Sequence, residues 1–278
     1  MRSPSTKFIF FNAAAAVIGV AALGAAARSI LVSPTAAPCS ERYLNLTQFS
    51  LDRAGTPLTP ADLQASLNGR DVGVVENVAI HQIKNAPQPA VMGVLLRKAQ
   101  SSGVKYGTSF PWEPRVLQGK SSVCISYQVL LPPDFDFHRG GTLPGLVGSD
   151  GVEGGDRFST RFAWRPKGLG GATLRVSEKG ATRSVVAERE GFAFPRGKWV
   201  RLEQEVVLNA PTKSDGVLRV WVDGTLAIDR TDMAYRSRSE VGVVGVAVDV
   251  FAGSSPDDAQ AAPSREARVW LTSFEARW

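Results

Sequence analysis

From residue 91 onward the chain breaks into short apolar stretches separated by turn residues, the pattern of many strands and few helices. The alternation is plainest over residues 157–165. Phe158, Thr160, Phe162 and Trp164 fall on one face, and Arg157, Ser159, Arg161 and Ala163 on the other, because strand side chains point to alternate faces. The first set suits a core. The second makes a polar, cationic face suited to an anionic ligand. Further strands are predicted at residues 91–98, 123–131, 172–177, 199–208, 217–222, 241–250 and 267–274. Between them stand Ser101-Ser102-Gly103, Pro132-Pro133-Asp134, Gly168 to Gly171, Asp215-Gly216 and Asp223-Gly224, all turn-forming. The run from Val241 to Val248 is apolar on both faces, which predicts a central strand whose glycines admit close neighbours. With no long helical period between them, these strands predict an all-β, two-sheet sandwich over residues 91–278.

Residues 39–90 read as a short mixed arm that packs on this domain. Thr59 caps a predicted helix ending at Asn68-Gly69, with Pro60 in its first turn. Residues 72–81 predict a strand in which His81 is structural, and Asn85-Ala86-Pro87-Gln88-Pro89 a connector. Residues 1–38 stand apart as a leader: Arg2 and Lys7 precede a run from Phe8 to Ala27 whose one clearly polar residue is Asn12. Ala25-Ala26-Ala27 offers small residues for cleavage, and the run of residues 8–27 is also close to the ~20 apolar residues that span a bilayer. A cleaved signal and an uncleaved anchor therefore both fit, and both place the fold outside the cytoplasm, in the periplasm or beyond. Cys39 follows Pro38 rather than a small residue, which argues against a lipoprotein. The two cysteines, Cys39 and Cys124, suggest one bridge in an exported chain, the alternative being two buried thiols. Two cysteines and two histidines are a poor metal-ligand set, and no cofactor is implied.

Charge sharpens the picture where total composition does not. The 278 residues are 44% hydrophobic and 21% charged, an ordinary globular balance, with net charge +6. Between Arg139 and Arg201 there are 12 Lys/Arg against 6 Asp/Glu, so the excess is concentrated there. Such a region attracts polyanions. Without a nucleic-acid motif or clustered aromatics, an acidic polysaccharide ranks above nucleic acid. A solvated surface rich in arginine is the plainer alternative.

A more specific pattern overlies these features. Gly140-Gly141-Thr142-Leu143-Pro144-Gly145-Leu146 is followed by Phe158-Ser159-Thr160-Arg161 and by Trp164-Arg165. Gly197-Lys198-Trp199 precedes a strand containing Gln204, then Leu208-Asn209-Ala210-Pro211, the run from Asp215 to Gly224, and Phe251-Ala252-Gly253-Ser254. In this order, across residues 121–278, the pieces resemble the polysaccharide lyases of family 14, the alginate and glucuronan lyases. The resemblance implies a concanavalin-like β-jelly-roll and a uronate polymer as partner. It also implies β-elimination, in which a preplaced cation neutralises the sugar carboxylate, a base takes the neighbouring C5 proton and an acid protonates the leaving O4. It assigns catalytic roles to Ser159 and Arg161 and makes Gln204 a substrate contact; Arg139, Thr142 and Arg165, within or beside the same motifs, are further candidate substrate contacts. A guanidinium suits the carboxylate because it can form two parallel hydrogen bonds. Two departures stand out. Thr142 occupies the place of a family lysine used in catalysis, and residues 172–176 lack the family's tyrosine pair. A threonine hydroxyl is a poor base, and Arg175 does not readily give up a proton. His138 is the nearest replacement base, with Tyr127 and Tyr235 the other titratable groups. Three functions stay open: a lyase with an altered catalytic set, a carbohydrate-binding module that has lost the reaction, and a structural envelope protein.

Overall fold

The computed structural model describes residues 36–98, 105–137, 139–253 and 255–278, with residues 189–191 described by backbone alone. The leader, apart from residues 36–38, and the candidate base His138 lie outside the described residues. Among the described residues no helix is long and apolar enough to cross a membrane.

The chain from Ala37 to Trp278 is one compact unit of antiparallel strands. In order these are β1 (Leu46–Phe49), β2 (Asp52–Arg53), β3 (Thr56–Pro57), β4 (Val78–His81), β5 (Val91–Leu96) and β6 (Gly107–Trp112). Next come β7 (Ser122–Leu130), β8 (Gly141–Leu143), β9 (Gly145–Ser149), β10 (Arg157–Trp164), β11 (Leu169–Glu178) and β12 (Ala181–Ala193). The last are β13 (Trp199–Val207), β14 (Gly216–Val222), β15 (Thr225–Met233), β16 (Gly242–Ala252), β17 (Ala267–Leu271) and β18 (Phe274–Arg277). A nine-stranded sheet has the order β15-β14-β13-β7-β17-β5-β4, with β18 beside β7 and β1 beside β18. A seven-stranded sheet has the order β12-β11-β10-β8-β16-β6, with β9 continuing the place of β8 between β10 and β16. The two form the sandwich.

The core fills the space between them. From the seven-stranded sheet come Phe158, Phe162 and Trp164, with Leu174, Val176, Val246, Val248 and Val250. The facing sheet supplies Val123, Ile125, Tyr127, Val129, Leu202 and Val206. Tyr127 joins the layers, its ring 5.9 Å from Phe162 and 5.2 Å from Phe274. Each such side chain contributes about 1.5–3 kcal/mol by leaving water. The alternation expected for β10 is found: Phe158, Thr160, Phe162 and Trp164 are buried, and the intervening residues are not.

Four features differ from expectation. The glycine-rich stretch before β10, where no strand is predicted, forms β8 and β9. Gly141 pairs with Trp164, and an added Cβ would stand 2.0 Å from the indole; Gly148 pairs with Phe158, and its Cβ would stand 2.0 Å from that ring. These glycines are strand positions that make room for large aromatic rings. Residues 39–90 are more than an arm, since β1 and β4 are hydrogen-bonded into the nine-stranded sheet. Thr59 does cap α2 (Pro60–Ser66, after the short α1, Cys39–Arg42), through a reciprocal bond pair with Asp62. Residues 74–77, expected as strand, are a helical turn, α3 (Val74–Asn77). Finally, β12 and β15 were not expected. Both lie at sheet edges and bury only scattered residues, Ala187 and Phe192 of β12 and Ala227, Ile228 and Met233 of β15, so they carry no period-two signal.

The expected Cys39–Cys124 bridge is present, spanning 85 positions. It ties α1 to the outer face of the nine-stranded sheet. There Glu203 and Glu205 are almost wholly buried beneath it. Ser40 donates to Glu203 from its amide (3.1 Å) and its hydroxyl (2.9 Å), and Arg201 Nε donates at 2.8 Å. Glu205 accepts from Tyr43 (2.8 Å) and pairs with Arg42 (2.8 Å) and Arg219 (3.2 Å). The segment therefore neutralises two buried carboxylates, which would otherwise be costly.

Candidate functional site

The outer face of the seven-stranded sheet holds a cleft of about 760 Å³. Its polar floor follows from strand parity. On β10, Arg157, Ser159 and Arg161 face it. On β11 their register partners Ser177, Arg175 and Thr173 do the same. Thr142 of β8, Val147 and Ser149 of β9, Ala247, Asp249 and Phe251 of β16, and Ser109 and Glu113 at the β6 side complete the lining.

Arg161 is already engaged. Its Nε donates to Asp249 Oδ2, while Ser109 Oγ donates to Asp249 Oδ1 at 2.6 Å. Asp249 lies two strands away from Arg161. The one residue between β8 and β9 is Pro144, and Gly145 opens β9, so no long side chain rises between them. The Asp249 side chain is only 5% exposed and that of Arg161 27%. Glu113, at the rim, pairs with Arg70 at 2.6 Å. Arg157 and Arg175, by contrast, are exposed and have no ion-pair partner among the described residues.

Other expected site residues disperse. A second hollow, about 510 Å³, adjoins the cleft through Thr142, Ala163 and Thr173 and is lined by Arg139 and Arg165. Arg165 forms an ion pair with Glu188. Gln204 is not in the cleft. It sits fully buried on the inner face of β13, where its carbonyl oxygen accepts from Thr160 Oγ1 (2.7 Å) and from the Leu146 amide (3.1 Å). The partner that a polar residue in an apolar stripe requires is thus the opposite sheet, not a ligand.

The tyrosines are structural. Tyr127 donates to Pro144 O and Tyr235 to Val217 O, and burial pushes both phenols well above their ordinary range. Neither reaches the cleft. Asn209, of the Leu208-Asn209-Ala210-Pro211 motif, is also architectural. It donates to the carbonyls of Ala210, Lys213 and Arg236 and accepts from the amides of Tyr235 and Arg236. His81 is exposed beside Trp270 and Arg268, far from this chemistry in role and on the other sheet. The residue missed from the sequence is Asp249. Its one available signal was a carboxylate inside an otherwise apolar central strand.

What the cleft offers is therefore hydroxyls, guanidinium groups and two committed carboxylates, Asp249 and Glu113. Among the described residues it contains no histidine, lysine or tyrosine.

Comparison with known proteins places this geometry. The family model for polysaccharide lyase 14 matches residues 88–274. No curated protein sequence matches the chain. Among solved structures, a PL-14 alginate lyase from Aplysia kurodai is similar at 20% identity and a TM-score of 0.68, covering 84% of this chain and 98% of that one. The alginate lyase vAL-1 from Chlorella virus is similar at 17% identity and 0.59, covering 78% and 96%. An endo-β-1,4-glucuronan lyase from the fungus Trichoderma reesei is similar at 11% identity and 0.57, covering 84% and 95%. At these identities the structural likenesses speak for the shared jelly-roll fold.

Proposed function

This chain belongs to the polysaccharide lyase 14 family, and from that premise we propose that its cleft binds an acidic, uronate-bearing polysaccharide while the family's ordinary elimination reaction is disabled. The observation that carries the reading is the lining of the cleft. Cations and hydroxyls remain, but Thr142 stands where the resemblance puts a lysine, and the stretch 172–176, where it puts a tyrosine pair, turns only Thr173 and Arg175 to the cleft. Elimination needs a group that takes a proton near the working pH and another that returns it. Threonine and arginine do neither under ordinary conditions.

Binding makes fewer demands. Arg157 and Arg175 present guanidinium groups to solvent, a geometry matched to carboxylates. Ser159, Thr173, Ser177 and Thr182 supply hydroxyls for sugar hydroxyls. A cleft that runs along β10 from Arg157 to Ala163 spans about 20 Å at ~3.3 Å per residue, which suits a polymer better than a single sugar. Export through the leader is part of the same proposal and is supported by the disulfide.

The test pairs two readouts on one sample. The protein is titrated with alginate and with glucuronan, and ultraviolet absorbance of the unsaturated sugar end is followed in parallel. We expect saturable binding and no turnover. Turnover in the ordinary enzyme range, roughly 1–1000 per second, would overturn the binding-only reading and direct attention to His138. Failure to bind any acidic polysaccharide would remove the cleft from consideration.

A further inference from the structure

The charges of the cleft are arranged unevenly, and the arrangement bears on which acidic polymer fits. Three arginines face the cleft from β10 and β11, but they are not equivalent. Arg157 and Arg175 are exposed and unpaired among the described residues; Arg175, on β11, stands opposite Ser159, midway between Arg157 and Arg161 along the strands. Arg161, four residues along the same face of β10, is about 13 Å from Arg157 at ~3.3 Å per residue. It is bound to Asp249, whose second oxygen is held by Ser109. Beyond Asp249, at the β6 side, Glu113 is balanced by Arg70. Across the sheet the cleft thus has a cationic end, formed by Arg175 on β11 and Arg157 at the start of β10, a neutral middle where Arg161 meets Asp249, and a neutral rim at the β6 side.

From this layout, and resting on the reading of the cleft as a site for acidic polysaccharide, we infer that Asp249 is a specificity-determining residue. It makes the middle of the cleft a subsite for an uncharged sugar, so that the preferred ligand is a polysaccharide whose carboxylates are interrupted by neutral residues rather than a homopolymer of uronate.

Two physical effects oppose a carboxylate at the middle. To reach Arg161 it must displace an internal carboxylate that is almost buried, and breaking a buried pair by leaving one partner without its counter-ion is expensive. If instead it approaches while Asp249 stays in place, two like charges share one guanidinium. A neutral sugar meets neither obstacle. At the cationic end the reverse holds, because Arg157 and Arg175 have no internal counter-ion to displace. The break between β8 and β9 falls at Pro144, between the strands that carry Arg161 and Asp249, and sets no long side chain in the way of the pair.

The experiment uses one backbone at three charge densities. Glucuronan is compared with the same polymer after reduction of about half its carboxyls to hydroxymethyl groups, and after complete reduction. For the wild type we expect the half-reduced polymer to bind about fivefold more tightly than the parent, and the fully reduced polymer most weakly. Generic attraction between a basic cleft and a polyanion gives a different order, with the fully charged parent first, and that order overturns the inference. The variant Asp249→Asn keeps an acceptor for Ser109 while freeing the charge of Arg161. It should bind the parent about tenfold more tightly than the wild type does and lose the preference for the half-reduced polymer. An unchanged preference in a folded Asp249→Asn protein overturns the role of Asp249. If that variant does not fold, the wild-type ranking alone decides. Absence of binding to all three polymers overturns the underlying cleft reading, and the inference with it.

Discussion

Replacing Gln204 with alanine removes the acceptor for two donors, the Thr160 hydroxyl and the Leu146 amide, in a place water does not reach. Leaving buried donors unsatisfied and opening a cavity each carry a cost, together about 2–4 kcal/mol. We therefore expect Gln204→Ala to lower the melting temperature by several degrees, with affinity for acidic polymer unchanged in the folded fraction. Reduced affinity at full stability would return Gln204 to the cleft. The opposite signature belongs to Arg157 and Arg175. Both are exposed, so Arg157→Ala with Arg175→Ala should leave the melting temperature nearly as it is. Binding should weaken about tenfold or more at low salt, and the difference should narrow as salt rises, because exposed charges are screened. Isothermal titration at two ionic strengths checks this, and equal affinity of the double variant and the wild type at low salt would exclude these arginines from the site.

At the scale of elements, the period-two face of β10 was readable directly, because one side of that strand is core and the other is cleft. So was the Asp223-Gly224 hairpin: both residues adopt the positive φ that such a two-residue turn needs. The edge strands β12 and β15 were not readable, since neither face is uniformly buried. Nor was the pairing of Arg161 with Asp249, which depends on strands brought together by topology rather than by sequence proximity. The glycines of β8 and β9 were visible as glycines but not as seats for rings. That role makes an expectation: Gly148→Ala would set a methyl against both the Phe158 ring and the Gly242 carbonyl, 2.6 Å away, and the latter is backbone that cannot swing aside. A loss of about 1–3 kcal/mol should follow in a denaturant melt. The disulfide-tied α1 makes another. Burial opposes the charge on Glu205, but the hydrogen bonds and charges of Arg42, Tyr43 and Arg219 outweigh it and hold the carboxyl below its usual range. A depressed carboxyl stabilises the fold above its unfolded pKa, near 4.3, and that contribution is lost as pH falls through the folded value. The wild type should therefore lose stability below about pH 4, and Glu205→Gln, weaker at neutral pH, should lose less over the same range. Parallel acid limbs in the two proteins would deny Glu205 that role.

For the whole molecule, the proposal of a cleft without a proton-transferring set raises the question of what would restore elimination. The sandwich, the β8–β9 break and the face of β10 carrying Ser159 and Arg161 are all in place. Thr142 stands beside Ala163 on one side and Phe251 on the other, while Thr173 and Arg175 stand beside Arg161 and Ser159. Restoring Thr142→Lys alone supplies one titratable amine to a site still lacking the second partner. Groups that act as a unit are not additive, so this single change should give no measurable turnover. Combining it with Thr173→Tyr and Arg175→Tyr supplies both, and each position is at least partly exposed, so the chain should tolerate the change with little loss of stability. Even then Asp249 still holds Arg161, and the carboxylate that must be neutralised before its C5 proton can leave has no free guanidinium beneath it. Product from glucuronan, read by ultraviolet absorbance, should therefore appear only when Asp249→Asn is added to the triple variant. Comparable turnover by the triple variant with Asp249 intact would mean that the ion pair opens readily under a polyuronate, and Arg161 would then be available to ligand after all.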